Sequence, residues 1–330
     1  MGYQATASQT IATERKTVAS IQNLKVSFPT SYGWRTVVRG ISFDVREGDR
    51  IAIVGESGSG KTLLGSALLG ITPEQARIEG TVIVGGIDPQ RGSRSELRQL
   101  RGGRASMVFQ DPLTSLNPVR TIGSQLVESI RRHQRLSASA AKAKALDVMG
   151  RVGVPVPEER FRAYPHELSG GLRQRVVISL AIANDPVLLI ADEPTTALDA
   201  TIQAQILEVF RTGVQGQSML LITHDLAVAA EVCNRVMVMY AGQIVEEGTI
   251  QEILRAPRHP YTRGLLAAVP SFGGGARQLV PIPGGPPTDP GGMTGCRFAP
   301  RCPAVHDRCV QEPMRVNGVA CWLHNEEEMK

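Results

Sequence analysis

The chain has 330 residues, 42% hydrophobic and 20% charged, which supplies a real core for one large unit plus a smaller one and excludes wholesale disorder. Its formal charge of +5 comes with only 4% aromatic residues and without a contiguous basic block, so it reads as mild surface basicity and nucleic acid is not an expected partner. No apolar run approaches the roughly 18 residues needed to cross a bilayer, and the first 18 residues are polar with no apolar signal segment, so a cytosolic chain without disulfides is expected.

Residues 1–18 read as a flexible tail. Ile21 to Phe28 and Ile41 to Val45 then alternate as strands with one exposed face, and Asp49 to Val54 reads as a buried strand ending in glycine. Further apolar strand-sized runs at Ala105 to Phe109, Val187 to Ala191 and Met219 to Thr223 alternate with helical patterns such as Ile202 to Arg211. That alternation is the mark of an α/β fold with a parallel core and an antiparallel flank. Between them, about 112–183 is rich in Ala, Arg, Leu and Glu and predicts an inserted helical subdomain. Val236 to Met239 and Gln243 to Glu246 read as a hairpin through Ala241 and Gly242. Ten of the fifteen residues 281–295 are Pro or Gly, which excludes a regular element and predicts a linker or wrapping loop. The expected organisation is a main domain over 19–265 and a Pro/Gly-rich and Cys-rich extension over 266–330.

Gly55-Glu56-Ser57-Gly58-Ser59-Gly60-Lys61-Thr62 fits the pattern G-x4-G-K-[ST] between a buried strand and the helical run Leu63 to Leu69. In that context the glycines let backbone N–H groups curl around an anion at a helix N-terminus. Lys61 is then expected on the β and γ phosphates of ATP and Thr62 on Mg²⁺. Downstream, Val187 to Ala191 lead into Asp192-Glu193. An acidic pair at the end of a buried strand is costly unless it meets a cation, so Asp192 is expected to hold Mg²⁺ and Glu193 to polarise the attacking water.

Leu168-Ser169-Gly170-Gly171-Leu172-Arg173-Gln174-Arg175, between those two sites, resembles the signature motif of ATP-binding cassette proteins. The resemblance implies that Ser169, Gly170 and Gly171 contact the nucleotide of a partner cassette. It places Gln110 at the Q-loop on Mg²⁺, Asp199 in the dimer-crossing D-loop of Ala197-Leu198-Asp199, and His224 on the γ-phosphate. Phe28 is similar to the aromatic that stacks on adenine, with Tyr32 and Trp34 as rivals. Gln110 to Pro118, Tyr164-Pro165-His166-Glu167 and His259-Pro260-Tyr261-Thr262 narrow the resemblance to the oligopeptide/dipeptide importer ATPases over about residues 20–325. That family implies a peripheral ATPase on the cytoplasmic face of the inner membrane. Its partners are a second, identical or homologous ATPase subunit, two transmembrane permease subunits and, indirectly, an extracytoplasmic solute-binding protein, with Gln110 to Ile130 the dock for the permeases. The competing reading is a soluble, non-transport ATPase of the same superfamily acting on a macromolecular complex.

Cys296-x5-Cys302-x6-Cys309-x11-Cys321 closes the sequence with four soft donors, while Cys233 stands alone. Four thiolates suit zinc or an iron-sulfur cluster. The spacings exceed the C-x2-C pairs of zinc ribbons, and the resemblance favours a structural 4Fe-4S cluster. Zinc, with His306 or His324 able to replace a cysteine, and unligated thiols stay as alternatives.

Overall fold

The computed structural model describes residues 15–196, 198–214, 216–268, 281–285, 287 and 293–324. Nine strands are present among them: β1 Thr17–Thr30, β2 Gly33–Arg46, β3 Arg50–Val54, β4 Arg77–Val84, β5 Ala105–Val108, β6 Leu188–Asp192, β7 Ser218–Thr223, β8 Arg235–Tyr240 and β9 Gln243–Thr249. They form two sheets, an antiparallel one ordered β2-β1-β4 and a six-stranded one ordered β5-β6-β7-β3-β8-β9. In the second sheet β5, β6, β7, β3 and β8 run parallel and only β9 is antiparallel.

The apolar runs of the parallel strands follow from burial on both faces. Ile51 and Ile53 of β3, Leu188 and Ile190 of β6, and Leu220 and Ile222 of β7 point into one core. There they meet Ile21, Leu24 and Val26 of β1, with Leu64 and Leu68 from the helix Lys61–Leu69. Their neighbours Ala52, Val54, Leu189, Ala191 and Leu221 point the other way, into a core shared with the helices of the insertion. Period-two alternation thus divides each strand between two cores.

The insertion contains the helices Ile122–His133, Ala138–Arg151 and Gly170–Ile182. Each starts on a hydroxyl cap, Thr121, Ser137 and Ser169 accepting from the amides of Ser124, Ala140 and Leu172. The β8–β9 hairpin turns at Ala241 and Gly242, with φ of 46° and 88°, as a two-residue turn with both residues left-handed requires.

Two elements differ from the sequence reading. Arg77–Val84 adds a third strand to the flank. Its pattern is interrupted by Gly80, which sits at φ 94° where a Cβ would lie 2.4 Å from the Asn23 carbonyl oxygen, beside a register shift between Gln22 and Lys25. The pattern Ile202 to Arg211 is divided. An ordinary helix capped by Asp199 covers Ala200–Glu208, and a π-helical turn continues it over Val209–Gly213.

Beyond the hairpin, the helix Pro260–Ala268 and the described tail pack on the cassette through a ring cluster. Tyr240 and Tyr261 have centroids 4.5 Å apart, and Phe298 stands edge-on to Tyr240 at 5.3 Å. The tail is also hydrogen-bonded to β9, Ala320 N donating to the Val245 carbonyl at 2.8 Å and Glu247 N to that of Gly318 at 2.7 Å.

Candidate functional site

Parallel strands deliver loops to the same edge of a sheet, and three adjacent strands do so here. β3 leads into the glycine-rich loop, β7 beside it ends at Thr223 before His224, and β6 beyond it ends at Asp192 before Glu193. A cavity of about 850 Å³ opens there, lined among others by Ser57, Gly58, Lys61, Thr62, Gln110, Glu193 and His224.

The loop takes its shape from two glycines in particular. A Cβ on Gly55 would lie 2.1 Å from the Met239 carbonyl oxygen, and Gly60 caps the Lys61–Leu69 helix with φ 102°. Lys61 is buried and curls back, its Nζ donating to the carbonyls of Gly55 at 2.7 Å and Glu56 at 3.0 Å. Burial lowers its pKa, while the charges of Glu193, Asp192 and Glu56 oppose that shift. Ser59 Oγ, also buried, has no hydrogen-bond partner among the described residues. The loop therefore sets a cation beside a space suited to phosphate.

Thr62 Oγ1 donates to Asp192 Oδ1 at 3.2 Å. Asp192 is 3% exposed and its pKa is raised, first by burial and further by Glu193, against the Thr62 hydrogen bond and Lys61. A buried carboxyl beside a hydroxyl is the oxygen-donor pair a hard divalent cation takes, and such a cation would reverse the push towards protonation. Glu193 follows at φ 45°, its amide donating to the Ile222 carbonyl at 2.8 Å. Its Oε2 accepts from Thr196 Oγ1 at 2.8 Å and stands 3.2 Å from His224 Nδ1. Nothing in the sequence pattern singled out Thr196, which fixes the carboxylate.

Other residues lie outside this constellation. Ser169 and Gly170 are exposed at the start of their helix and do not line the cavity, so within one chain they are separate from the phosphate loop. Asp199 caps the next helix by accepting from Ile202 N at 3.0 Å, while Ala197 of the same motif lies outside the described residues. Phe28 on β1 packs, partly buried, against the core under the flank, and Val37 rather than Phe28 lines the cavity. Tyr32 is fully exposed and Trp34 carries Arg77 over its ring at 5.8 Å.

The wall of the cavity holds residues that motif reasoning missed. Leu265, Pro281, Ile282, Gly284 and Arg301 line it from the C-terminal side. The Arg301 guanidinium forks onto the Glu56 carboxylate, and the Tyr261 hydroxyl accepts from Glu56 N at 2.9 Å. A lone arginine in a Pro/Gly-rich tail carries no local signal for such a role.

The expected metal centre in the tail is not borne out. Among the described residues no group of three or more His, Cys, Asp or Glu side chains is arranged to hold a metal ion. The four thiols are nevertheless neighbours. Cys296 feels Cys309 and Cys321, and Cys321 feels Cys302 and Cys309. Burial pushes Cys296 up to about 11 and raises Cys302 and Cys321, favouring the protonated thiol. The chain folds these cysteines into one neighbourhood, with Cys296 and Cys302 packed against the main core.

Residues 38–196 match the family model described as ABC transporter, and residues 245–309 match that described as oligopeptide/dipeptide transporter, C-terminal region. The chain is 47% identical over 320 residues to the dipeptide transport ATP-binding protein DppD of Bacillus subtilis, covering 94% of this chain and 95% of that one. It is 46% identical to DppD of Escherichia coli, over 91% of this chain and 93% of that one. Against the oligopeptide transport ATP-binding protein OppD of Mycobacterium tuberculosis the identity is 48%, over 88% of this chain and 48% of the longer relative. Among solved structures, the dimeric cassette MJ0796 bound to ADP and phosphate superposes with a TM-score of 0.63 at 24% identity, over 70% of this chain and 98% of that one.

Proposed function

The chain belongs to the ABC transporter ATP-binding proteins of the oligopeptide/dipeptide type, and from that premise we propose that it is the ATP-hydrolysing subunit that powers import of peptides or related small solutes through a separate transmembrane permease. The observation that carries this reading is the convergence of Lys61, Thr62, Glu193 and His224 on one cavity at three adjacent strand ends, with Asp192 hydrogen-bonded to Thr62 behind it. Among the described residues no helix is long and apolar enough to cross a membrane, which agrees with a permease made of other chains.

In this reading the glycine-rich loop wraps the phosphates of ATP and Lys61 exchanges its carbonyl partners for phosphate oxygens. Thr62, Asp192 and Gln110 would hold Mg²⁺, which when bound offsets the charge developing on the transferred phosphoryl group. Glu193, fixed by Thr196, orients and polarises the attacking water, and His224 shares that carboxylate while facing the γ-phosphate. Ser169 and Gly170, exposed and outside their own cavity, would with the buried Gly171 behind them complete the site of a second, identical or homologous cassette, with Asp199 crossing the interface. Ring stacking on adenine is assigned to Phe28 only if the flank moves on closure, since Val37 occupies the cavity wall. The main domain is taken as 19–265, with the helical insertion about 112–183 and the extension at 266–330, and the surface around Gln110 to Ile130 docks the permeases at the cytoplasmic side of the membrane.

Four thiols in one neighbourhood suit a thiophilic metal by donor chemistry, and a bound cation would draw them to ligating distance and reverse the preference for protonated thiols that burial imposes. A structural 4Fe-4S cluster, with zinc as the alternative, is proposed on that support. Cys296, Cys302, Cys309 and Cys321 would be its ligands.

The experiment that tests the functional reading is reconstitution with the permease subunits in vesicles. ATP-dependent uptake of a di- or oligopeptide that stops on Lys61→Ala is the expected result. Co-purification with a soluble macromolecular complex and no permease would favour the non-transport alternative.

A further inference from the structure

Arg301 lies in the C-terminal extension, 245 positions from Glu56, yet its side chain is only 7% exposed and reaches the phosphate loop. Nη1 donates to Glu56 Oε2 at 2.7 Å and Nη2 to Oε1 at 3.0 Å, a bidentate fork. The same guanidinium donates through Nε to the Pro283 carbonyl at 2.9 Å, through Nη2 to that of Gly284 at 3.2 Å and through Nη1 to the Tyr240 hydroxyl at 3.3 Å. One planar group thus ties together the glycine-rich loop, the strap at 281–285 that lines the cavity, and the end of β8. A lysine has no such fork and could not replace all of these bonds at once.

Glu56 needs this partner for an electrostatic reason. The loop has to hold a polyanion, and an unpaired carboxylate on its second residue sets a negative charge at the rim of that site. Arg301 supplies the compensating charge and fixes the direction of the side chain. The backbone of Glu56 is held as well, its amide by the Tyr261 hydroxyl and its carbonyl by Lys61. Two of these three restraints come from the chain after residue 260. Phe298, three residues from Arg301, is buried against Tyr240 and Tyr261, so docking of the extension decides where the guanidinium sits.

We propose that Arg301 is a positioning residue for the nucleotide site, which neutralises and orients Glu56 and so makes ATP affinity depend on docking of the C-terminal extension. This rests on the nucleotide-site reading given above. Isothermal titration of the full-length chain with Mg·ATP tests it, using Arg301→Met, Glu56→Gln, the double variant, and Lys61→Ala as a reference. Losing a charge-assisted fork beside the phosphates should weaken ATP binding by about tenfold to a hundredfold in Arg301→Met. Glu56→Gln alone sets the reference for the double variant, and adding it to Arg301→Met should recover most of the loss, because no carboxylate is then left to neutralise. A merely structural arginine would give a loss that Glu56→Gln does not rescue.

Binding by Arg301→Met within about twofold of the parent, or a double variant as weak as Arg301→Met, overturns the proposal. Should Arg301→Met lack a cooperative melting transition, Arg301→Gln, which keeps hydrogen-bonding groups without the charge, is read with and without Glu56→Gln by the same comparison. If Lys61→Ala binds ATP like the parent, the nucleotide-site reading itself fails. If Lys61→Ala loses ATP while Arg301→Met keeps it, only the role of Arg301 falls.

Discussion

Exchanging Glu193 for glutamine separates binding from chemistry at a side chain whose surroundings are fully specified. Glu193 Oε2 accepts from Thr196 Oγ1 at 2.8 Å and lies 3.2 Å from His224 Nδ1, and its backbone is anchored on the Ile222 carbonyl. A glutamine oxygen still accepts from Thr196, so the shape of the site persists. The charge and basicity do not. A positioned general base contributes on the order of 10² to 10⁴ in rate, about 2.7 to 5.4 kcal/mol of barrier. ATP binding should stay or tighten, because the Glu193 charge, with those of Asp192 and Glu56, otherwise competes with phosphate for Lys61. Phosphate release by the assembled transporter and equilibrium ATP binding on the same preparation give the two numbers. Turnover within about tenfold of the parent, or binding lost together with turnover, would refute the assignment.

Lys61→Ala should lose ATP affinity itself, with little residual binding on equilibrium titration, since the cation nearest the phosphates is removed. Ser169→Arg in one subunit of a two-ATPase assembly should impair the nucleotide on the partner's phosphate loop, because Ser169 is exposed and remote from its own cavity; photo-crosslinked ATP lost from the mutated chain alone contradicts this. Asp192 has a pKa raised above the ordinary 3.8, so its protonated form favours the native state at low pH, and that stability is lost as pH climbs from 3.8 through the raised value. Asp192→Asn should therefore lift the melting temperature of nucleotide-free protein at pH 7, by on the order of 2 °C, and this gain should fade as pH drops towards 3.8. Gly171→Ala places a Cβ 2.8 Å from Ile202 Cγ2 and should cost about 1–3 kcal/mol in denaturant unfolding. Anaerobically purified protein should carry iron and acid-labile sulfide that Cys302→Ser removes, and stoichiometric zinc in their place would select the alternative metal.

The residues at the nucleotide cavity were legible because their chemistry is local. A glycine-rich turn between a buried strand and a helix, and an acidic pair closing an apolar run, each need only short-range sequence to be recognised, and parallel β topology then brings strand ends together. The same logic identified the parallel core, whose double-sided burial imposes unbroken apolar runs, and the hairpin turn at Ala241-Gly242. What failed locally did so for identifiable reasons. Gly80 interrupts the alternation of β4 at a bulge, hiding a strand that packing restores. Phe28 packs, partly buried, against the core beneath the flank while Val37 lines the cavity, a division that only the fold of the flank decides. The four cysteines announced a shared site through their number, but only folding decided that they lie as half-buried neighbours. Arg301 shows the boundary most clearly. Its pairing with Glu56 spans 245 positions and depends on Phe298 docking against Tyr240 and Tyr261, and long-range charge pairing of that kind has no period, spacing or motif for a sequence to carry.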